Sequence, residues 1–595
     1  MNYRNCFLIF AVICICAASC SSVEPVKVNA IVPHPASIEV LDNGAFLLGR
    51  SAAVVCKGEG TENSAAFLKD YLQEHYGVAS RKWGARKIEL RIEEDSAAVQ
   101  GAYSLEVLPR KITVIGKNEP GLFYGVQTLL QLLPVPDAAG SGGNGDGEGA
   151  EEADRKIAGE ADGKVVGEAD GRIAGKIVGK KIAVPAVRIE DAPAFEYRGM
   201  HLDVARHFMP VEFVKRYIDY LALHKLNYFH WHLTDDQGWR IESRKHPRLN
   251  EVGSYRDGTI IGLYPGTGVD STRYGGYYTV EQMKEVVEYA SQRYITIVPE
   301  IDLPGHCMAI LATYSQFGTE SNGDVKPAIT WGIYNKLNNV MAPSEEAFDF
   351  LEDVFGELMD IFPGPYIHMG ADECCHRWWK ESPRTQAFIK EHGLGDEKGL
   401  QKYFAQRVGD MIKARGRIPL GWDEMVDNGL AEDVAVMVWR GGQRWVPAAE
   451  SGHKIIMTPN GKSYLNYKQR PDEKRLAHMF RLVALDTVYN YDPTPDTLSA
   501  AVLENVIGGQ GCLWTEYYAT PADVEYAIFP RISAISEVYW TREELKDYGR
   551  FLEGMPVQFR RYALWGVEEP CRYIFESEEE RGQEVKVART AEDGD

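Results

Sequence analysis

From about Phe195 onward, short apolar runs of β character alternate with longer stretches whose apolar residues recur at three- and four-residue spacing. That alternation predicts a parallel sheet with helical crossovers. Eight candidate strands fall near Tyr197 to Asp203, Leu226 to His232, Ile295 to Ile301, Tyr366 to Gly370, Ile418 to Trp422, Val434 to Trp439, Lys454 to Pro459 and Gly509 to Trp514. Amphipathic stretches at Pro210 to His224, Val280 to Arg293, Ser344 to Phe362 and Gly399 to Arg415 separate several of them. Eight units over roughly 400 residues predict an α/β fold, a (β/α)8 barrel with long loops, over 193–570.

The pattern before residue 135 is different. Short apolar runs at Lys87 to Ile92 and Lys111 to Ile115, with helical stretches at Ser64 to Tyr76 and Leu122 to Leu133, predict a small α+β accessory domain over 28–134. Across 135–182 the periodicity dissolves into a Gly-rich, acidic stretch in which Gly159-Glu-Ala-Asp-Gly-Lys164 recurs eight residues later as Gly167 to Arg172. Two copies do not make a solenoid, and although the period suits stacked β-turns, low apolar content and abundant Gly read as a flexible linker. A charged tail follows at 571–595.

The first twenty residues carry one charge, Arg4, then an apolar run from Phe7 to Ala18 and Ala17-Ala-Ser-Cys20. This is the pattern of a secretory leader. Small residues before Cys20 resemble the bacterial lipoprotein box, although Ala17 stands where a larger aliphatic residue is usual. The expectation is an exported protein, periplasmic or anchored to the outer membrane by a lipid on Cys20, with ordinary leader cleavage as the alternative. No later stretch reaches the ~18 apolar residues of a spanning helix. Four of ten cysteines lie in the leader, and the spacing of Cys56, Cys307, Cys374, Cys375, Cys512 and Cys571 indicates no disulfide framework. Net charge, 65 − 86 = −21, argues against a nucleic-acid partner. Twelve Trp and 31 Tyr suit sugars as well as cores, because a flat apolar face with a polar tip serves both.

On a (β/α)8 barrel, chemistry gathers at the carboxyl ends of the strands. Nearly every predicted strand here ends in a capable residue: Arg206, Asp235 with Asp236, His306, Asp372 with Glu373, then Trp422, Trp439, Tyr464, Trp514 and Glu516. Ordinary glycosidases hold two carboxyls ~5–5.5 or ~6.5–9.5 Å apart, usually from different strands. Adjacent acids, aimed differently by strand alternation, suggest another division of labour. One protonates the leaving oxygen, while its neighbour steadies a group on the substrate that itself attacks the anomeric carbon. Such an acid needs a raised pKa, with Asp235 and His306 as candidate tuners. The rival is a metal site, since His306-Cys307 and Asp372 to His376 contain ligand types. No His-Glu-x-x-His or Cys-x-x-Cys unit occurs, vicinal Cys374-Cys375 cannot comfortably share a tetrahedral zinc, and His230 and His232 read as barrel-core histidines. No metal and no cofactor are expected.

The motifs, in order, resemble those of the family 20 glycoside hydrolases, the β-N-acetylhexosaminidases. They are Arg198-Gly-Met-His-Leu-Asp203-Val-Ala-Arg206, His230-Trp-His-Leu-Thr-Asp235-Asp-Gln-Gly-Trp-Arg240, Pro299-Glu-Ile-Asp-Leu-Pro-Gly-His306, His368-Met-Gly-Ala-Asp372-Glu373, Gly421-Trp422-Asp-Glu and Trp514-Thr-Glu516. The resemblance spans about Val28 to Trp540 and implies removal of terminal β-linked GlcNAc or GalNAc from glycans by substrate-assisted retention through an oxazolinium. It implies Glu373 as general acid/base and Asp372 as the carboxylate that orients the 2-acetamido group, with Asp235 and His306 behind Glu373. Tyr464 would bond the acetamido oxygen, Trp422, Trp439 and Trp514 would wall its methyl, and Arg206 and Glu516 would bind ring hydroxyls. Arg198 reads as structural. One position departs: Asn466 stands where many members carry Asp, which suits either a plain hydroxyl contact or a 6-O-modified, even sulfated, sugar. A non-catalytic glycan-binding protein is the other class considered, and the pair Asp372 and Glu373 counts against it, since a binder needs no proton donor.

Overall fold

The structure is a computed structural model that describes residues 30–136, 177–178, 181–320, 324–431 and 433–576. The leader with Cys20, the repeat at 159–172 and residues 577–595 of the tail lie outside the described residues.

Eight parallel strands close into a barrel: β1 (Tyr197–Asp203), β2 (Tyr228–His232), β3 (Thr296–Leu303), β4 (Tyr366–Gly370), β5 (Ile418–Trp422), β6 (Ala435–Val438), β7 (Ile455–Met457) and β8 (Val506–Leu513), each hydrogen-bonded to the next and β8 to β1. All eight predicted strands are present, three with the predicted ends and the other five with one or both ends shifted by one to three residues. Alternation sets the interior. Tyr197 and Tyr228 stack at 4.1 Å near the amino-terminal end, with Tyr366 beside them. Two residues further along β2 and β4, His230 and His368 point the same way, 4.6 Å apart between rings. The barrel is therefore packed with aromatic and imidazole rings and leaves its carboxyl-terminal mouth for polar groups. Outer helices include Val211–Leu223, Val280–Ser291, Glu345–Ile361 and Glu397–Ala414. Their starts are fixed by caps: Thr279 and Gln282 form a reciprocal capping box, and Ser344 accepts from the Ala347 N–H.

The accessory domain is one sheet in the order Ser37–Leu48, Lys181–Asp191, Tyr103–Leu108, Lys111–Gly116, Lys87–Ile92, Ser51–Lys57, Ala79–Arg81, with helices Glu62–Tyr76 and Glu119–Gln131 packed on it. This corrects the boundaries read from the pattern. Strand Lys181–Asp191 pairs with Ser37–Leu48 on one side and Tyr103–Leu108 on the other, so the domain ends after the Gly-rich stretch, not at 134. The stretch 135–182 is thus an insertion within the accessory domain and not a linker between two domains. The tail reading is also corrected at its start: the Cys571 N–H bonds to the Phe529 carbonyl, and the Phe575 ring meets Phe559 at 4.9 Å, so 571–576 pack on the barrel.

Asp191, the last residue of that strand, joins the two domains. Its buried carboxylate accepts from Lys225 Nζ at 3.0 Å, Tyr103 Oη at 2.6 Å and Trp540 Nε1 at 3.1 Å. Arg198, as the sequence suggested, is structural: it donates to the Phe195 and Lys225 carbonyls and to Tyr124 Oη, and lies over Trp540. Removing one partner of a buried pair strands the other's charge, which costs about 3–5 kcal/mol. Asp191→Ala is expected to lose that much, read as a lowered urea midpoint, whereas Arg188→Ala on the exposed face should shift it little.

Candidate active site

Where β4 ends, the backbone turns sharply. Gly370 has φ +68, and a Cβ there would lie 1.7 Å from Asp302 Oδ1, so only glycine fits. Ala371 (φ 76) and Glu373 (φ 41) also sit in the left-handed region. Such conformations cost about 1–3 kcal/mol each and persist where the surroundings enforce them. The consequence is that neighbouring acids part company. Asp372 turns inward with 12% of its side chain exposed, while Glu373 stands at the mouth with 42% exposed.

The two acids share one imidazole. His306 Nε2 lies 3.8 Å from Asp372 Oδ2 and 3.5 Å from Glu373 Oε2, and its Nδ1 lies 3.1 Å from both Asp235 Oδ1 and Asp236 Oδ2. Burial alone would lower the His306 pKa, but Asp235, Asp236 and Glu373 hold it well above the ordinary value, so the ring is an imidazolium. Asp235 is likewise opposed by burial yet held well below the carboxylate range by Arg206, whose Nη2 is 2.8 Å away, and by His306. Asp235 and His306, the two candidate tuners, thus form an ion pair behind the acids, and His306 pulls Asp372 down against its burial.

A second buried network lies beneath. Glu300 bonds with His232 Nδ1 at 2.5 Å and Trp422 Nε1 at 2.9 Å, and His230 Nε2 and His368 Nδ1 lie 3.0 and 2.9 Å from its carboxylate. His232 also reaches Asp235 at 3.0 Å, and despite burial its pKa is pushed up to about 10 by Glu300 and Asp235. Charges thus alternate from Glu300 through His232, Asp235 and His306 to the acids. Both histidines of the His-Trp-His motif lie buried inside the barrel: His232 bonds with Glu300 and Asp235, and His230 Nδ1 accepts from Gln510, while its Nε2 makes no hydrogen bond. Glu300, which organises them, was not singled out.

Burial also raises Asp372. Desolvation, with Glu300, Glu373 and Asp235 nearby, lifts its pKa up to about 6 against the pull of His306. Asp302 is raised well above its ordinary value by burial and by Asp372, and Glu424 up to about 8 by burial, Asp372 and Asp423. Three carboxyls therefore share one region and resist ionising together, with Asp372 at about 6 below Glu424 at about 8. Its Oδ1 is buried and has no hydrogen-bond partner. A buried carboxylate oxygen without a donor is costly, and here it faces a hollow where a ligand N–H would supply one.

That hollow, of about 210 Å³, is lined by Arg206, His306, Asp372, Glu373, Trp439, Tyr464, Asn466, Tyr467, His478, Trp514 and Glu516. It is smaller than the ~300 Å³ at which pockets for drug-sized ligands begin, so it suits a single sugar ring. Trp439 and Tyr464 stack at 6.2 Å, and Trp439 Nε1 is held at 3.0 Å by Glu424. Arg206 lies 5.2 Å over Trp514 and donates to Asp203 and Gln237 as well as pairing with Asp235. Burial would raise Glu516, but His478 at 3.2 Å and Arg206 bring it down to about 2, leaving a carboxylate whose Oε2 is buried without a donor. Asn466 presents a buried Oδ1 in the same condition.

Ten of the eleven predicted site residues come together around this hollow, nine in its wall and Asp235 behind. Trp422 does not line it: the ring is 1% exposed, tied to Glu300 and set 5.8 Å from Trp514, which it backs. Tyr467, His478 and Glu424 were missed. Tyr467 was within reach, one residue past Asn466 in the predicted loop, whereas His478 sits in a stretch without motif or periodicity. As for metals, Asp235, Asp236 and His306 offer ligand atoms within 4.8 Å of one another, but the Arg206 guanidinium already supplies the positive charge there.

Comparison with known proteins agrees with this geometry. The model of the glycosyl hydrolase family 20 catalytic domain matches residues 195–543, and that of the family's domain 2 matches 28–192. A β-hexosaminidase of Porphyromonas gingivalis is 35% identical over 543 residues, covering 90% of this chain; the chain spans 64% of that relative's length. The exo-β-N-acetylglucosaminidase of Vibrio harveyi, solved with N-acetylglucosamine, superposes with a TM-score of 0.76 at 30% identity over 92% of this chain and 80% of its own. The β-N-acetylhexosaminidase of Streptomyces coelicolor gives 0.72 at 28% identity over 92% and 98%. With both of its domains matched and its acids, aromatic walls and buried ion pairs gathered at the barrel mouth, the chain belongs to glycosyl hydrolase family 20.

Proposed function

We propose that the protein is an exo-acting β-N-acetylhexosaminidase that removes terminal β-linked GlcNAc or GalNAc from glycans with retention. The observation that carries this reading is the unpartnered Oδ1 of Asp372, buried beside an aromatic-walled, one-ring hollow and next to an acid at its mouth. In this scheme Asp372 accepts the N–H of the substrate's acetamido group and turns its carbonyl oxygen toward the anomeric carbon. That oxygen forms the new C–O bond while Glu373 gives its proton to the departing glycosidic oxygen, yielding an oxazolinium whose positive charge faces the Asp372 carboxylate. Glu373, now a carboxylate, takes a proton from water as the water opens the ring, which returns the original anomer.

Tyr464 and the tryptophans confine the acetamido arm, and such confinement is where an intramolecular nucleophile gains its advantage. Arg206 and Glu516, both charged, grip ring hydroxyls with hydrogen bonds strengthened by that charge. The test compares an aryl β-GlcNAc with the matching aryl β-glucoside. The first is expected to turn over faster by about 10³-fold or more, since the second lacks the nucleophile. Equal turnover removes substrate assistance from consideration, and ¹H NMR should show the β-anomer of GlcNAc forming first.

A further inference from the structure

Far from the barrel mouth, the accessory sheet has a second hollow, of about 250 Å³. The chain leaves the edge strand Ser37–Leu48 and enters Ser51–Lys57, near the opposite edge of the sheet, through only Gly49 and Arg50. The two edges are drawn together, and the hollow lies where they meet. Its wall comes from Phe46 to Ala52, from Arg81, Ala85 and Arg86 after the other edge strand, and from Lys181.

Two features set it apart. The titratable groups of its wall are Arg50, Arg81, Arg86 and Lys181, all exposed and with no carboxylate among the lining residues. On a chain of net charge −21 this is a local reversal of sign. Four like charges converging on one hollow repel one another, and an anion relieves that repulsion. Arg86 donates Nε to the Pro109 carbonyl, which anchors its head. Arg81 is folded over Gly84, where a Cβ would come 2.7 Å from its Nη2.

The second feature is apolar. Phe46, Leu48 and Ala52 form a buried floor, and Trp83, at the tip of the loop that carries Arg81 and Arg86, is 86% exposed. A cationic rim over an apolar floor, with an exposed tryptophan on the loop that carries Arg81 and Arg86, matches a pyranose that bears a carboxylate or sulfate: the C–H face packs, and guanidinium forks take the oxyanion.

We propose that this hollow is an anionic-glycan docking site, in which Arg50, Arg81, Arg86 and Lys181 hold a uronate or sulfated sugar residue and Trp83 stacks on its neighbour. The choice of a glycan over other anions rests on the glycosidase reading of the barrel; the anion preference rests on the accessory domain alone. Binding of the full chain is measured by calorimetry with a hyaluronan hexasaccharide, a chondroitin 6-sulfate hexasaccharide and neutral cellohexaose, which lacks the acetamido group, at 25 and 300 mM salt. Hyaluronan separates the carboxylate from the sulfate.

The expected result is binding of one or both anionic probes that weakens in high salt, at least tenfold weaker binding in R81A/R86A, and a loss in W83A that salt does not change. Turnover of an aryl β-GlcNAc should be unchanged in both variants, which also shows that they fold. Three results overturn the proposal: neither anionic probe binds; R81A/R86A binds them as wild type does; or a single-stranded dT12, or vesicles of phosphatidylglycerol, compete as well as the hexasaccharides do. If the aryl glycoside is not turned over at all, the barrel reading fails while the binding result stands separately.

Discussion

Asp372→Asn is expected to cut kcat/KM for an aryl β-GlcNAc by about 10²–10³-fold, the range seen when one group aimed at developing charge is lost in a desolvated site. The amide keeps the shape but not the charge that faces the oxazolinium, and it can present an N–H to a group that is itself a donor. The wild-type profile carries the same dependence on pH. Because the Asp372 pKa stands at about 6, kcat/KM should fall as pH drops through that value and the carboxylate is lost.

Stability should move the other way. A carboxyl with a raised folded-state pKa stabilises the fold below its unfolded pKa and loses that contribution as pH rises through about 6. Asn pays no such ionisation cost, so the variant should melt higher than wild type at pH 8, with the difference shrinking toward pH 4. An activity loss without this pH-dependent melting difference would mean that Asp372 supplies its charge without a raised pKa.

Glu373→Gln should depend on the leaving group instead. With a sugar or alkyl aglycone, which departs only when protonated, the loss should be about 10²–10⁴-fold. With 2,4-dinitrophenyl, which departs unaided, the first step should be nearly spared. The remaining loss should then fall on the water step and appear as a burst of phenolate. Equal losses for both aglycones would assign the proton to another group.

How far the sequence exposed this site depended on how each residue is held. Asp372, Glu373, His306 and Arg206 lie within a few residues of strand ends, so strand assignment alone brought them to one rim. Glu300 was hidden because it reads as one polar residue in an apolar strand; its role arises from histidines on β2 and β4, which only barrel closure brings to it. Trp422 was placed on the right strand but one layer too high, since whether a strand-end ring lines a hollow or backs it depends on what its N–H finds, here Glu300. The accessory domain's end was misread for a related reason. Lys181–Asp191 looks like a strand by alternation, but its partners Ser37–Leu48 and Tyr103–Leu108 lie upstream, across a stretch that breaks the pattern.

That late strand has a consequence for the evolution and engineering of the chain. Because helix Glu119–Gln131, just before residue 136, and strand Lys181–Asp191 both belong to the accessory domain, the chain leaves that domain after 136 and returns to it by 181. For any flexible loop closed on one body, each doubling of length costs only about 0.6 kcal/mol. A foreign module could be spliced in at that point while the spacing between Asp191 and Lys225, and with it the catalytic scaffold, stayed as it is.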